Sequence, residues 1–280
     1  MRSLSRPDQL RAEVASWKRV RERVALVPTM GNLHAGHIAL VRHASTLAQR
    51  VVVSIFVNPL QFGPDEDYER YPRTLERDFE LLRPEAVDAV FLPDMGLMYP
   101  RPLEQMTRVE VPGLSDILCG ASRPGHFAGV ATIVCKLFHL VQPDVAVFGE
   151  KDWQQLAVIR RMTQDLNLPV ALAGHATVRE ADGLAMSSRN GYLNAEERTR
   201  APRLYRTLQR TAGLLQAGRQ DYTALEADAT VALDAAGFKA DYVSIRRAED
   251  LGEPEPGARL IVLGAAWLGQ TRLIDNLLVN

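Results

Sequence analysis

The amino-acid sequence predicts an α/β protein: a Rossmann-like parallel sheet with helices on both faces, followed by a smaller C-terminal α+β domain. Three observations lead there. Short β-branched runs that are almost wholly apolar, such as "VVVSIFV" at 51–57, have the character of strands covered on both faces. Between such runs lie stretches whose apolar residues recur at helical spacing, the alternation expected of a parallel sheet. After about residue 176 the alternation ends, and helical stretches precede three strand-like runs. A chain of 280 residues, 46% hydrophobic and 24% charged, suits one large domain or two unequal ones. We place them at 1–176 and 177–280.

The elements follow in order. Residues 8–20 read as a short amphipathic helix, and "RVALVP" as a buried strand. From Gly36 to Ala48, the residues Ile38, Val41, Ala44, Leu47 and Ala48 stand at helical spacing. The strand at 51–57 precedes a polar loop, a helix around Leu75 to Leu82 and the strand "AVFLP". "GVATIVCKLFHLV" reads as a buried helix and "DVAVFG" as the next strand. In "DWQQLAVIRRMTQDL" the apolar residues Trp153, Leu156, Ile159 and Met162 are in phase, and "LPVALAG" completes the series. A polar, glycine-containing segment, "VREADGLAMSSRNGYL", leads into helices near 195–216 and 222–236. The strands "ADYVSIRRA", "ARLIVLGAAWL" and "TRLIDNLLV" close the chain.

Composition narrows the function. Lys plus Arg total 33 against 34 for Asp plus Glu, a net charge of −1 without the basic footprint of a nucleic-acid binder. Cys119 and Cys135 are the only cysteines and form no CxxC pair, so a disulfide framework or zinc site is not expected. The N-terminal "MRSLSRPDQLRAEVASWKRV" lacks the apolar core of a signal peptide. Stretches such as "LIVLGAAWLG" are too short to cross a bilayer as a helix. The expectation is a cytoplasmic protein with neither membrane nor nucleic acid as partner.

Three polar clusters directly follow strand-like runs: "PTMGNLHAGH", "NPLQFG" and "GEKDWQQ". Parallel sheets bind ligands beyond the C-terminal strand ends, near the switch in strand order, so the clusters should share one rim. In the first, Gly31 permits a tight turn and close approach to a ligand. A helix starting near Gly36 aims free amides and partial positive charge at an anion. His34 and His37 can add hydrogen bonds, and charge if protonated. A lone histidine there is most often a partly exposed cap; two, with glycine at a strand-to-helix turn, favour a ligand. HxxH could also offer two zinc ligands, but His43, His126, His139 and His175 show no HExxH or cysteine companion. Lys151 can neutralise phosphate charge at a strand end, or can simply be solvated. "MSSRNG" offers Ser187, Ser188 and Arg189 in a loop, suited to phosphates or to an ordinary serine-rich turn. The amides of Asn58 and Gln61 can bind a carboxylate or hydroxyl without adding charge. Together the clusters imply a nucleotide triphosphate site with a neutral, amide-lined pocket beside it. Neither a GxxxxGK[ST] loop nor a GxGxxG after the first strand is present, so the nucleotide is held by another scheme.

With "HAGH" after the first strand and "MSSR" late in the chain, the sequence resembles the HxGH nucleotidyltransferase superfamily, which includes class I aminoacyl-tRNA synthetases with their KMSKS loop. The fuller set resembles the pantothenate synthetase (pantoate–β-alanine ligase) family: "VALVPTMGNLHAGH", "VSIFVNPLQFGP", "YPRTLERD", "SRPGHFAGVATIV", "FGEKDWQQL" and "READGLAMSSRNGYL". The likeness runs over nearly the whole chain, to "AAWLGQTRLIDN". It implies an ATP-dependent ligase of pantothenate and coenzyme A biosynthesis. Pantoate and ATP would give pantoyl adenylate and pyrophosphate; β-alanine would then displace AMP to give pantothenate.

The resemblance also assigns residues. Met30, Gly31, Asn32 and Leu33 would line the ATP site with His34, Ala35, Gly36 and His37, the last as proton donor. Gly149, Glu150, Lys151 and Asp152 would join them, as would Val178, Met186, Ser187, Ser188 and Arg189. Catalysis would fall to His34, His37, Lys151, Ser187, Ser188 and Arg189. Gln61 and Gln155 would bind pantoate, Gln61 also lying near β-alanine, with help from Asn58 and His126; Tyr71 would shape the nearby loop. Mg²⁺ is expected on the ATP phosphates, with Asp78 either its ligand or a helix-surface aspartate. "MSSR" lacks the lysines of KMSKS, which leaves Arg189 as its fixed cation and argues against a tRNA synthetase. A homodimer formed through the N-terminal domain is implied, with the C-terminal domain closing over ATP.

Overall fold

A computed structural model describes residues 1–64 and 66–279. The chain opens with β1 (Arg2–Leu4), α1 (Pro7–Arg19), β2 (Val24–Thr29), α2 (Ala35–Leu47) and β3 (Arg50–Ile55). A loop with a 3₁₀ turn at Pro59–Gln61 leads to α3 (Leu75–Leu82), β4 (Ala89–Phe91) and α4 (Met95–Met98). Then come α5 (Cys119–Ser122), α6 (His126–Val141), β5 (Val145–Gly149), α7 (Trp153–Asp165) and β6 (Ala171–His175). These six strands form one parallel sheet in the order β1-β4-β3-β2-β5-β6. The expected α/β architecture is what the chain adopts.

Strand sequence explains the layering. Along β2, Val24 and Leu26 enter one core cluster while Ala25 and Val27 enter another, so both faces of the sheet are covered. In α6 every residue from Phe127 to Val134 is buried, with Leu137, Phe138 and Val141 beyond, which accounts for its long apolar run.

The strand order places a topological switch between β2 and β5. There the ladder is short. β2 pairs with β3 over Val24 to Thr29, but with β5 only at Ala25 and Leu26. Pro28 has no N–H to donate, and the ladder to β5 ends before it. The C-terminal halves of β2 and β5 therefore part and leave a cleft at the rim.

The rest of the chain comprises α8 (Ala195–Arg200), α9 (Arg203–Gln216), α10 (Tyr222–Ala235) and the antiparallel sheet of β7 (Lys239–Arg247), β8 (Leu260–Leu268) and β9 (Thr271–Leu278). Pro202 separates α8 from α9 within the single helical stretch expected at 195–216. Along β8, Ile261, Leu263 and Ala265 join the core of the parallel sheet, whereas Val262, Ala266 and Leu268 join the cluster under α9 and α10.

Candidate active site

A cavity of about 770 Å³ opens at the parted ends of β2 and β5. It gathers Met30, His34, Gly36 and His37 from the first cluster, and Gly149, Lys151, Asp152 and Gln155 from the third. Asn58, Gln61 and His126 line it as well, with Val178, Met186, Ser187, Ser188 and Arg189 opposite. Gly31, Asn32, Leu33, Ala35 and Glu150 do not line it: Leu33 is buried in the core and the Glu150 side chain lies against Gly174.

The start of α2 is built from the two histidines. His34 is the N-cap, and its Nδ1 accepts from the Gly36 N–H at 3.1 Å. The His37 Nδ1 accepts from the His34 N–H at 3.3 Å, a reciprocal capping box. The ring centroids lie 4.1 Å apart. A Cβ at position 36 would stand 2.9 Å from the His34 ring, so only glycine lets the pair close up. Since each Nδ1 accepts, each neutral ring carries its proton on Nε2. Burial pushes His34 down to about 4, helped by the Lys151 charge, and His37 down to about 3, helped by His34 and Lys151. The two rings are thus neutral donors near pH 7 rather than the extra positive charge that protonated imidazoles would bring.

Asp78 holds the preceding loop. Its carboxylate accepts from the Asn32 N–H at 3.0 Å, the Leu33 N–H at 2.8 Å and the Thr74 hydroxyl at 3.2 Å. At 1% exposure it is not the helix-surface aspartate considered from the sequence, and it does not line the cavity as a free metal ligand. The turn it braces needs positive φ at Gly31 (80°) and Asn32 (49°). Ser188 ties the late loop to the same turn by donating to the Asn32 carbonyl at 3.2 Å.

The amide pocket has its own support. Asn58, 1% exposed, accepts from the Tyr99 hydroxyl at 2.7 Å and the Leu60 N–H at 3.3 Å. Its NH₂ donates to Gln61 Oε1 and to the Gly129 carbonyl, both at 3.0 Å. With its oxygen occupied by Asn58, Gln61 is left with its NH₂ as a donor to a ligand. His126 donates from Nδ1 to the Gln61 carbonyl at 2.7 Å and accepts from Arg123 on Nε2 at 3.0 Å. Burial and the Arg123 charge hold His126 down at about 4. Asn58 and His126 therefore brace Gln61. Val130, Ile133 and Val134 of α6 supply an apolar wall beside it.

Residues that sequence reasoning missed are mostly partners across long separations. Arg189 pairs with Asp67 at 2.9 Å, and Arg123 pairs bidentately with Glu66, both contacts at 2.6 Å. Asp67 Oδ2 is buried without a hydrogen-bond partner. Among the described residues, no group of three or more His, Cys, Asp or Glu could hold a metal ion.

The family model for pantoate-beta-alanine ligase matches residues 2–278. A pantothenate synthetase from Alkalilimnicola ehrlichii is 58% identical over 278 residues, covering 99% of this chain and 97% of the relative. One from Methylococcus capsulatus is 54% identical over 281 residues, covering 100% and 98%. The crystal structure of pantothenate synthetase from Thermus thermophilus superposes with a TM-score of 0.90 at 50% identity, covering 100% of this chain and 99% of that one. The pantoate-beta-alanine ligase from Francisella tularensis, complexed with beta-gamma ATP and beta-alanine, gives 0.84 at 32% identity, covering 99% and 97%.

Proposed function

The chain belongs to the pantoate–β-alanine ligase family, and from that premise we propose how its residues divide the work. The enzyme condenses pantoate with β-alanine at the expense of ATP, giving pantothenate, AMP and pyrophosphate. A pantoate carboxylate oxygen attacks the α-phosphorus; the new acyl–phosphate bond forms as the α–β bond breaks and pyrophosphate leaves. The β-alanine amine then attacks the acyl carbon, loses a proton and displaces AMP.

In this reading His34 and His37 donate from Nε2–H to the phosphates over the N-terminus of α2. Lys151, Ser187, Ser188 and Arg189 meet the charge that builds on pyrophosphate. Such a step is governed by positioning and electrostatic stabilisation. Gln61 and Gln155 orient the pantoate carboxylate and hydroxyls with neutral amides, which leaves the carboxylate nucleophilic. The valine wall of α6 suits the substrate's geminal methyl groups. The observation that carries the reading is the single cavity, in which neutral imidazole donors, a lysine and the serine–arginine turn face an amide pocket.

Mg²⁺ would be held chiefly by the triphosphate oxygens and its own waters, and would supply charge neutralisation there. No protein cage awaits it among the described residues. Asp78 is already committed to the loop amides. The same reading makes the enzyme cytoplasmic and homodimeric. Light scattering should then give about twice the 31.1 kDa chain mass.

A paired assay tests the reading. Pantoate alone should support ATP–pyrophosphate exchange without net AMP, and adding β-alanine should release pantothenate and AMP in equal amounts. AMP release without pantoate, or a dinucleotide-like product, would refute the assignment.

A further inference from the structure

One motif takes no part in the reaction as described, the "TRLIDN" run within β9. Successive strand residues face opposite sides. Leu273 and Leu277, flanking Asp275, pack into the cluster under α9, whereas Ile274 and Leu278 pack against the core of the parallel sheet. Asp275 and Asn276 accordingly reach in opposite directions.

On one side, Asp275 receives Arg179 at two points, 2.6 and 2.9 Å. Arg179 also lies 3.6 Å over the Tyr205 ring and donates to the Gly183 carbonyl at 3.1 Å. Its neighbour Val178 accepts from the Met186 N–H at 2.9 Å, so this ion pair anchors the base of the loop that carries Ser187 to Arg189. On the other side, Asn276 donates its two amide hydrogens to the carbonyls of Glu150 and Lys151, each at 2.8 Å. Asn276 is only 7% exposed.

We propose that Asn276 is a positioning residue for Lys151. The turn after β5 is a 3₁₀ turn at Glu150–Asp152. Pinning two successive carbonyls to one NH₂ group fixes both peptide planes, and with them the direction in which the Lys151 side chain leaves the backbone. An asparagine amide presents two donors on one uncharged nitrogen. An aspartate of the same shape would face those carbonyls with negative charge. Through its neighbour Asp275, the same strand also holds the serine–arginine loop, so β9 sets the spacing between the two cationic segments. This inference rests on the reading of Lys151 as a phosphate contact.

A double-mutant cycle tests it in the full-length enzyme. Pantoate-dependent ATP–pyrophosphate exchange is measured for Asn276→Asp, Lys151→Ala and the double variant, with the KM for pantoate and the melting temperature. Asn276→Asp should slow exchange by about 10²-fold, the scale of a small misplacement of a catalytic group, and should leave the KM for pantoate within about threefold. In the Lys151→Ala background the same substitution should change the rate by less than about twofold, because its effect runs through that lysine. Full, multiplicative loss in both backgrounds would overturn the proposal. If Lys151→Ala alone leaves exchange intact, the phosphate-contact reading fails first and takes this role with it. Should Asn276→Asp not fold, Asn276→Ala completes the same cycle. In the unmutated enzyme the Asn276 amide protons must exchange slowly with solvent; fast exchange would also overturn it.

Discussion

His34 and His37 each do two things with one ring: Nδ1 caps the helix and Nε2 is left for a ligand. His37→Ala separates the two. Loss of the cap should cost about 1 kcal/mol, a small drop in melting temperature. Loss of the donor should slow adenylation by about 10²–10⁴-fold in pyrophosphate exchange. A lowered melting temperature with normal exchange would reduce His37 to a cap. Acid should act on the same groups. His34 and His126 sit near 4 and His37 near 3, against an ordinary 6.5. Over that interval the unfolded chain binds more protons than the native one, so these rings leave stability intact above pH 6.5 and lower it as pH falls toward 4. Urea midpoints across that range should fall, and fall less steeply in His126→Asn; a slope unchanged by that substitution would contradict the account. Gln61→Ala should raise the KM for pantoate by about tenfold, one lost hydrogen bond to a charged group, with the KM for ATP nearly unchanged. The reverse order would remove Gln61 from the acid pocket.

At the scale of elements, the pocket depends on how closely α6 approaches the turn at Pro59–Gln61. A Cβ at Gly129 would stand 2.2 Å from the Leu60 carbonyl oxygen and 2.8 Å from the Gln61 nitrogen, both rigid backbone. Gly129→Ala should therefore push the turn off the helix, costing about 1–3 kcal/mol of stability. Kinetic measurements should show the KM for pantoate rising well before that for ATP, since the α2 end of the cavity is untouched. Equal changes in both would mean that the two ends are not separately supported. These contacts also mark what the sequence could convey. The start of α2 was legible because its residues act on neighbours: His34, Gly36 and His37 span a single turn. The strands were legible from their β-branched runs, and the shared rim from the polar clusters that follow them, whereas the order of the strands is set by pairings between distant segments. β1 was missed because three residues carry no measurable alternation. The split at Pro202 was missed because α8, AEERTR, buries no residue and so carries no apolar phase of its own to mark it off from α9. Asp78 was singled out only as a metal candidate or a surface aspartate, and Asp67 and Asn276 not at all, because each takes its meaning from a partner 45 or more residues away, at Leu33, Arg189 and Lys151.

For the whole molecule, the open question is whether the boundary between 1–176 and 177–280 is a hinge. The antiparallel sheet does not stand apart. One face of β8 adds Ile261, Leu263 and Ala265 to the core of the parallel sheet, which also holds Ala248 and Leu251. Trp153, at the start of α7, donates from its indole to the Ala248 carbonyl at 2.9 Å. Arg272 of β9 bridges Asp241 at 2.6 Å and Ser122 at 3.2 Å. Prising that sheet away would expose a continuous apolar face and leave the buried Trp153 indole N–H without its acceptor. We therefore expect a closing movement over ATP in the segment around Ser187 to Tyr192, whose Arg189 already reaches Asp67, rather than in the C-terminal part as a rigid lid. The consequence for unfolding is one cooperative transition. Trp17 and Trp153 are buried with the parallel sheet, and Trp267 sits on β8 at 39% exposure. In protein labelled with 5-fluorotryptophan, the fluorine signal of Trp267 should follow urea with the same midpoint as the far-ultraviolet signal. A Trp267 transition separated from that of the helices would show two independently folding parts, and a swinging C-terminal domain would then regain its footing.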